Sequence, residues 1–91
     1  MIQKIIPIEN EFGLHARAAA KLVKLTTQFR SRVRLSRANL QQEIDGKSIL
    51  GILLLAASQG TPIQVTVEGD DEEAAMEAIT FLIANKFGED R

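Results

Sequence analysis

The sequence predicts an α+β fold, an open-faced β-sandwich in which a four-stranded antiparallel sheet carries three helices on one face. Three observations lead there. Ile63, Val65 and Val67 alternate with Gln64, Thr66 and Glu68, the pattern of a strand with one buried and one wet face. Two longer segments, one in each half of the chain, repeat apolar residues at helical spacing. The elements follow the order β-α-β-β-α-β-α without a Pro-, Ser- or Gly-rich linker, so residues 1–91 read as one domain.

Each element has its own warrant. Ile2 to Ile8 is a strand with Ile2, Ile6 and Ile8 on one face, and Pro7, lacking an N–H, places it at a sheet edge. Asn10 to Leu14 is a loop with Gly13 as turn residue. Ala16 to Phe29 is a helix: Ala19, Leu22, Val23, Thr26 and Phe29 form one stripe, and Arg17, Lys21, Lys24 and Gln28 the other. Arg32 to Ser36 is a strand with Val33 and Leu35 inward. A turn over Arg37 to Asn39 leads to a short strand, Leu40 to Ile44. Ser48 caps a helix running to about Ser58, with Gly60 as its stop. The alternating strand at Ile63 to Val67 follows. Asp71 to Lys86 is the last helix, capped by Asp70 with Glu73 three residues on, and Met76, Ile79, Leu82 and Ile83 face inward.

Composition narrows the function classes. The chain has no Cys, so disulfide, thiol and iron–sulfur chemistry are excluded, and one His cannot build a structural zinc site. No signal-peptide pattern opens the chain, and its longest apolar run, Ile52 to Ala57, is far short of a bilayer span. The expectation is a cytoplasmic protein without membrane insertion. The net charge of −1 hides an asymmetry: residues 1–37 carry eight Lys/Arg against two Glu, and residues 38–91 carry three Lys/Arg against ten Asp/Glu. With four Phe as the only aromatics there is no platform for stacking bases, and segregated solvated faces explain the charge better than nucleic acid does. The acidic run Glu68 to Glu73 lacks the ligand spacing of a calcium loop and suits a helix N-terminus instead.

His15 is the residue that invites chemistry. It stands at the start of the first helix in Gly13-Leu14-His15-Ala16-Arg17. A helix N-terminus presents unsatisfied N–H groups and the positive end of the dipole, which together cradle an anion and favour a neutral, nucleophilic ring. Arg17 can bring its planar fork to a phosphoryl oxygen. Nucleophile, anion cradle and charge clamp are the requirements of a phosphoryl acceptor, although a lone His near a helix start is more often a plain cap.

Gly13 to Arg17 resembles the active-site signature of the HPr family, the histidine-containing phosphocarriers of the bacterial phosphoenolpyruvate-dependent phosphotransferase system. Lys47-Ser48-Ile49-Leu50-Gly51 resembles the family's regulatory serine site. Gln59-Gly60-Thr61 and Gly69-Asp70-Asp71-Glu72 match as well, so the resemblance spans the chain. It implies a stoichiometric carrier, not an enzyme, with no cofactor. His15 would take a phosphoryl group on Nδ1 from enzyme I and pass it to IIA components, with Arg17 assisting. Ser48 would be the residue that HPr kinase/phosphorylase modifies. Ile49, Leu50 and Leu53 would form the docking surface, joined by Ala20, Lys21 and Lys24 on the first helix; a carrier that must present one face to several partners is most simply a monomer. Phe12 is expected either to extend that patch or to pack under the loop.

One departure stands out: Ala18 follows Arg17 where the family usually has proline, and alanine should keep the helix with a slightly looser first turn. The resemblance leaves a sugar branch and a nitrogen branch open. It also admits a regulatory binding module of the same fold that carries no phosphate, a role for which His15 and Arg17 would be unnecessary.

Overall fold

The computed structural model describes residues 1–90. Its strands β1 (Ile2–Pro7), β2 (Arg32–Arg37), β3 (Ile44–Asp45) and β4 (Pro62–Glu68) form one antiparallel sheet in the order β1-β4-β2-β3. The cleanest alternation in the sequence, β4, lies in the interior of the sheet. Its Val67 stands opposite Ile2 and Val33, its Val65 opposite Leu35, and its Ile63 opposite Ile6. Val33, Leu35, Ile63, Val65 and Val67 are buried. β1 pairs only with β4 and so forms an edge, as Pro7 requires.

Helices α1 (Ala16–Thr26), α2 (Ile49–Leu54) and α3 (Glu72–Ala84) complete the predicted order and supply the other half of the core. Ala18, Ala19 and Leu22 of α1, Ile52 of α2, and Met76, Ile79 and Ile83 of α3 pack with the strand residues into one cluster. The opposite face of the sheet is polar and open. There Gln3 donates through Nε2 to Thr66 Oγ1 at 3.2 Å, and Ile5 is exposed.

Boundaries differ from expectation for identifiable reasons. α1 ends at Thr26 rather than Phe29, because threonine hydroxyls compete for the backbone: Thr26 donates to the Gly46 carbonyl at 2.8 Å and Thr27 to the Val23 carbonyl at 2.8 Å. β3 is Ile44–Asp45, not Leu40 to Ile44. Gln41, Gln42 and Glu43 give that run no apolar face to bury, and Leu40 is exposed. α2 stops at Leu54 because Ala56 adopts φ 49°, and Gly60 serves the turn into β4, donating its N–H to the Ile8 carbonyl at 2.8 Å. At α3 the cap position belongs to Asp71, not Asp70. Its carboxylate bridges away from the helix, accepting from the Arg30 and Ser31 N–H groups and the Ser31 hydroxyl. Glu72, not Glu73, reaches back to the Gly69 N–H at 3.0 Å, and it pairs with the Met1 ammonium at 2.9 Å.

After α3 the chain makes a 3-10 turn, Lys86–Gly88, that the sequence does not announce. Lys86, Phe87 and Gly88 all have positive φ, yet Phe87 is fully buried, so packing holds a backbone that two of these residues would otherwise avoid.

Candidate functional site

His15 is the N-cap of α1, in extended backbone conformation. The ring closes the helix end itself: its Nδ1 accepts the Arg17 N–H at 3.1 Å. The preceding loop is set by Gly13 at φ 68°. A Cβ there would lie 2.4 Å from the Ala57 carbonyl oxygen, so only glycine lets this loop approach the segment after α2. Leu14 locks that approach by donating its N–H to the same carbonyl at 2.9 Å. The His15 side chain is left 32 % exposed, beside Phe12, Arg17, Glu89 and Asp90, which line a shallow depression with it.

The other ring nitrogen has a partner that sequence reasoning did not find. Nε2 lies 2.5 Å from Oε2 of Glu89, 74 positions away along the chain. Glu89 is 14 % exposed and is held from its other oxygen by Asn10, whose Nδ2 donates to Oε1 at 3.0 Å and to the Gly13 carbonyl at 2.8 Å. Lys21 fixes the turn just before Glu89, its Nζ donating to the Phe87 carbonyl at 2.6 Å. Burial pushes the Glu89 carboxyl up. The hydrogen bonds from His15 and Asn10 and the nearby positive charge outweigh it and hold the group below its ordinary value.

The remaining sequence candidates fall into two groups. Arg17 and Phe12 stand with His15. Phe12 is exposed and meets the His15 ring edge-on, at 6.3 Å between centroids, so it does not pack under the loop. Ala20 and Lys24 are exposed on α1. Lys21 is exposed as well, and its ammonium donates to the Phe87 carbonyl. Ser48 caps α2, its Oγ accepting the Gly51 N–H at 3.1 Å. Ile49, Leu50 and Leu53 are exposed on that helix, whereas Ile52 is buried beneath them. Leu54 joins the exposed apolar set. Among the described residues no group of three or more His, Asp or Glu stands together in a way that could hold a metal ion, and no helix is long and apolar enough to cross a membrane.

Glu89 and Asn10 escaped notice because their approach to His15 is tertiary. The sequence offers one faint signal: Phe87-Gly88, an aromatic followed by glycine just past a helix end, is what a tail turning back onto the core would carry.

Known proteins share both the motif and the architecture. A family model described as "PTS HPr component phosphorylation site" matches residues 2–85, a span that includes His15 and ends before Glu89. The phosphocarrier protein HPr of Xylella fastidiosa is 47% identical over 90 residues, covering 99% of each chain. That of Cupriavidus necator is 47% identical over 89 residues, covering 98% of each. The crystal structure of HPr from Thermoanaerobacter tengcongensis superposes with a TM-score of 0.92 at 42% identity, over the whole of both chains.

Proposed function

The chain belongs to the HPr phosphocarrier family of the phosphotransferase system, and from that premise we propose that it accepts a phosphoryl group from enzyme I on His15 and hands it to IIA components. The observation that carries the reading is the geometry of the ring. His15 caps α1 through Nδ1, so the lone pair of that nitrogen points at the helix N-terminus. A phosphoryl group bonded there lies where first-turn amides and the positive end of the dipole stabilise its oxygens. The Arg17 N–H that now bonds Nδ1 is released to a phosphoryl oxygen as the N–P bond forms. Arg17 lines the same depression, and its guanidinium balances the charge of the transferring group.

Partners dock on the exposed surface that flanks the site. Ile49, Leu50 and Leu53 supply exposed apolar area on α2, Phe12 supplies more beside the histidine, and Lys24 and Arg17 add positive charge for acidic partners. Ser48 opens α2 at the edge of the patch. A phosphate placed there by HPr kinase/phosphorylase keeps the helix cap but puts unpaired negative charge beside apolar residues that a partner must cover. Regulation then works by obstructing docking, not by refolding.

The deciding experiment incubates the protein with enzyme I, magnesium and phosphoenolpyruvate. The expected result is a gain of one phosphate that is labile to acid and stable to base, and that is lost in His15→Ala. No gain, or an undiminished gain in His15→Ala, refutes the carrier function. A Ser48→Asp variant phosphorylated at the wild-type rate refutes the regulatory reading.

A further inference from the structure

Two partners of fixed chemistry hold the His15 ring from opposite sides. The Arg17 N–H can only donate, so Nδ1 must accept. The Glu89 carboxylate, kept ionised by its surroundings, can only accept, so Nε2 must carry the hydrogen. Each contact alone demands the same tautomer, with the proton on Nε2. The apparatus behind Glu89 is substantial for one carboxylate at the edge of a depression. Buried Phe87 anchors the tail, Lys21 grips its carbonyl, and fully buried Asn10 splits its two N–H groups between Glu89 and the active-site loop.

We propose that Glu89 is a positioning residue for phosphoryl transfer: it retains the ring proton on Nε2, which leaves Nδ1 as the acceptor and keeps the phosphorylated ring protonated. The second half rests on the carrier reading above. On acceptance, the bond from phosphorus to the donor breaks and the Nδ1 lone pair forms the new N–P bond. Because Nε2 keeps its hydrogen, the ring becomes a phosphoimidazolium cation facing the Glu89 carboxylate. On release, the N–P electron pair returns to Nδ1 and the ring leaves as neutral imidazole. Had Nε2 lost its proton, the leaving group would be an imidazolate, a far poorer one. Glu89 therefore trades lifetime of the phosphoprotein for readiness to give the group up.

Among the described residues, the charged groups beside the ring include Arg17 and Lys21 on α1 and Glu89 and Asp90 on the tail, with Asn10 and Phe12 of the loop next to them. Glu89 alone touches Nε2. Its removal is therefore the change that the comparison of variants reads.

The test follows hydrolysis of the phosphoprotein against pH, by loss of the phosphate mass, in wild type, Glu89→Gln and Glu89→Ala. Gln keeps the shape of the side chain and an oxygen for the Asn10 N–H, so folding is not at stake. In both variants the midpoint of the profile moves to lower pH, and the phosphoprotein lasts longer at neutral pH. Transfer to a IIA acceptor slows in proportion. A purely structural role for Glu89 would lower the melting temperature and leave the profile in place. Profiles of both variants that superimpose on the wild type overturn the proposal. If the wild-type protein takes no phosphate from enzyme I, the carrier reading has failed on its own. The ring is then phosphorylated with phosphoramidate, and the same comparison of profiles decides the role of Glu89.

Discussion

At the scale of single residues, the site divides into parts written locally in the sequence and parts assembled from afar. His15 and Arg17 are legible because cap, glycine loop and cation lie within five consecutive positions, 13–17, whose physics is that of one helix end. Glu89 and Asn10 are not, because no local periodicity encodes a contact across 74 positions. Asn10 is the more telling omission. It is fully buried and joins the loop to the tail, yet an Asn before a glycine turn reads as ordinary loop chemistry. Asn10→Ala strands the Gly13 carbonyl and one Glu89 oxygen, and urea denaturation should report a loss of about 2 kcal/mol. Arg17→Ala behaves oppositely. Arg17 is exposed, so stability should stay within about 0.5 kcal/mol, while phosphorylation by enzyme I, followed by single-turnover kinetics, slows by about 10²-fold.

At the scale of elements, α2 shows how six residues serve two masters. Its inward position, Ile52, is fully buried, and the positions around it stay exposed. Ile52→Ala should therefore cost about 2–5 kcal/mol in thermal or chemical unfolding. Leu50→Ala should leave stability nearly unchanged and raise the KM for phosphorylation by enzyme I. Equal stability losses in the two variants would assign Leu50 to the core and remove it from the docking surface. The sequence identified this helix but overran its end, since nothing in Leu54-Leu55-Ala56 announces that an alanine will adopt positive φ. The join between β2 and α3 is a second element-scale feature. The Ser31 hydroxyl, with the Arg30 and Ser31 N–H groups, holds the Asp71 carboxyl below its ordinary value. That contribution is complete above the ordinary carboxylate range and is lost as pH falls through the lowered folded value. Asp71→Asn should flatten the acid limb of a stability–pH curve; a limb as steep as the wild type's would show that other carboxylates dominate acid unfolding.

At the scale of the whole molecule, one core binds the parts of the site together. The four-stranded antiparallel sheet and the helical layer on one face follow from alternation and helical stripes, whereas the strand order β1-β4-β2-β3 and the ends of strands and helices depend on tertiary contacts. The tail is the exception, since its 3-10 turn depends on the pocket that receives Phe87. Phe87→Ala should cost about 3–5 kcal/mol, read by chemical denaturation, and should also free Glu89 from His15. The ring resonances in an NMR spectrum would then resemble those of Glu89→Ala. The contact between positions 15 and 89 also has a consequence in time. Ribosomes make His15 early and Glu89 some seventy residues later, so a growing or prematurely ended chain can display the histidine without the carboxylate that sets its proton. If Glu89 has the role proposed for it, such fragments would be poor conduits: a phosphoryl group that reached the histidine would be given up slowly until the two distant segments had met.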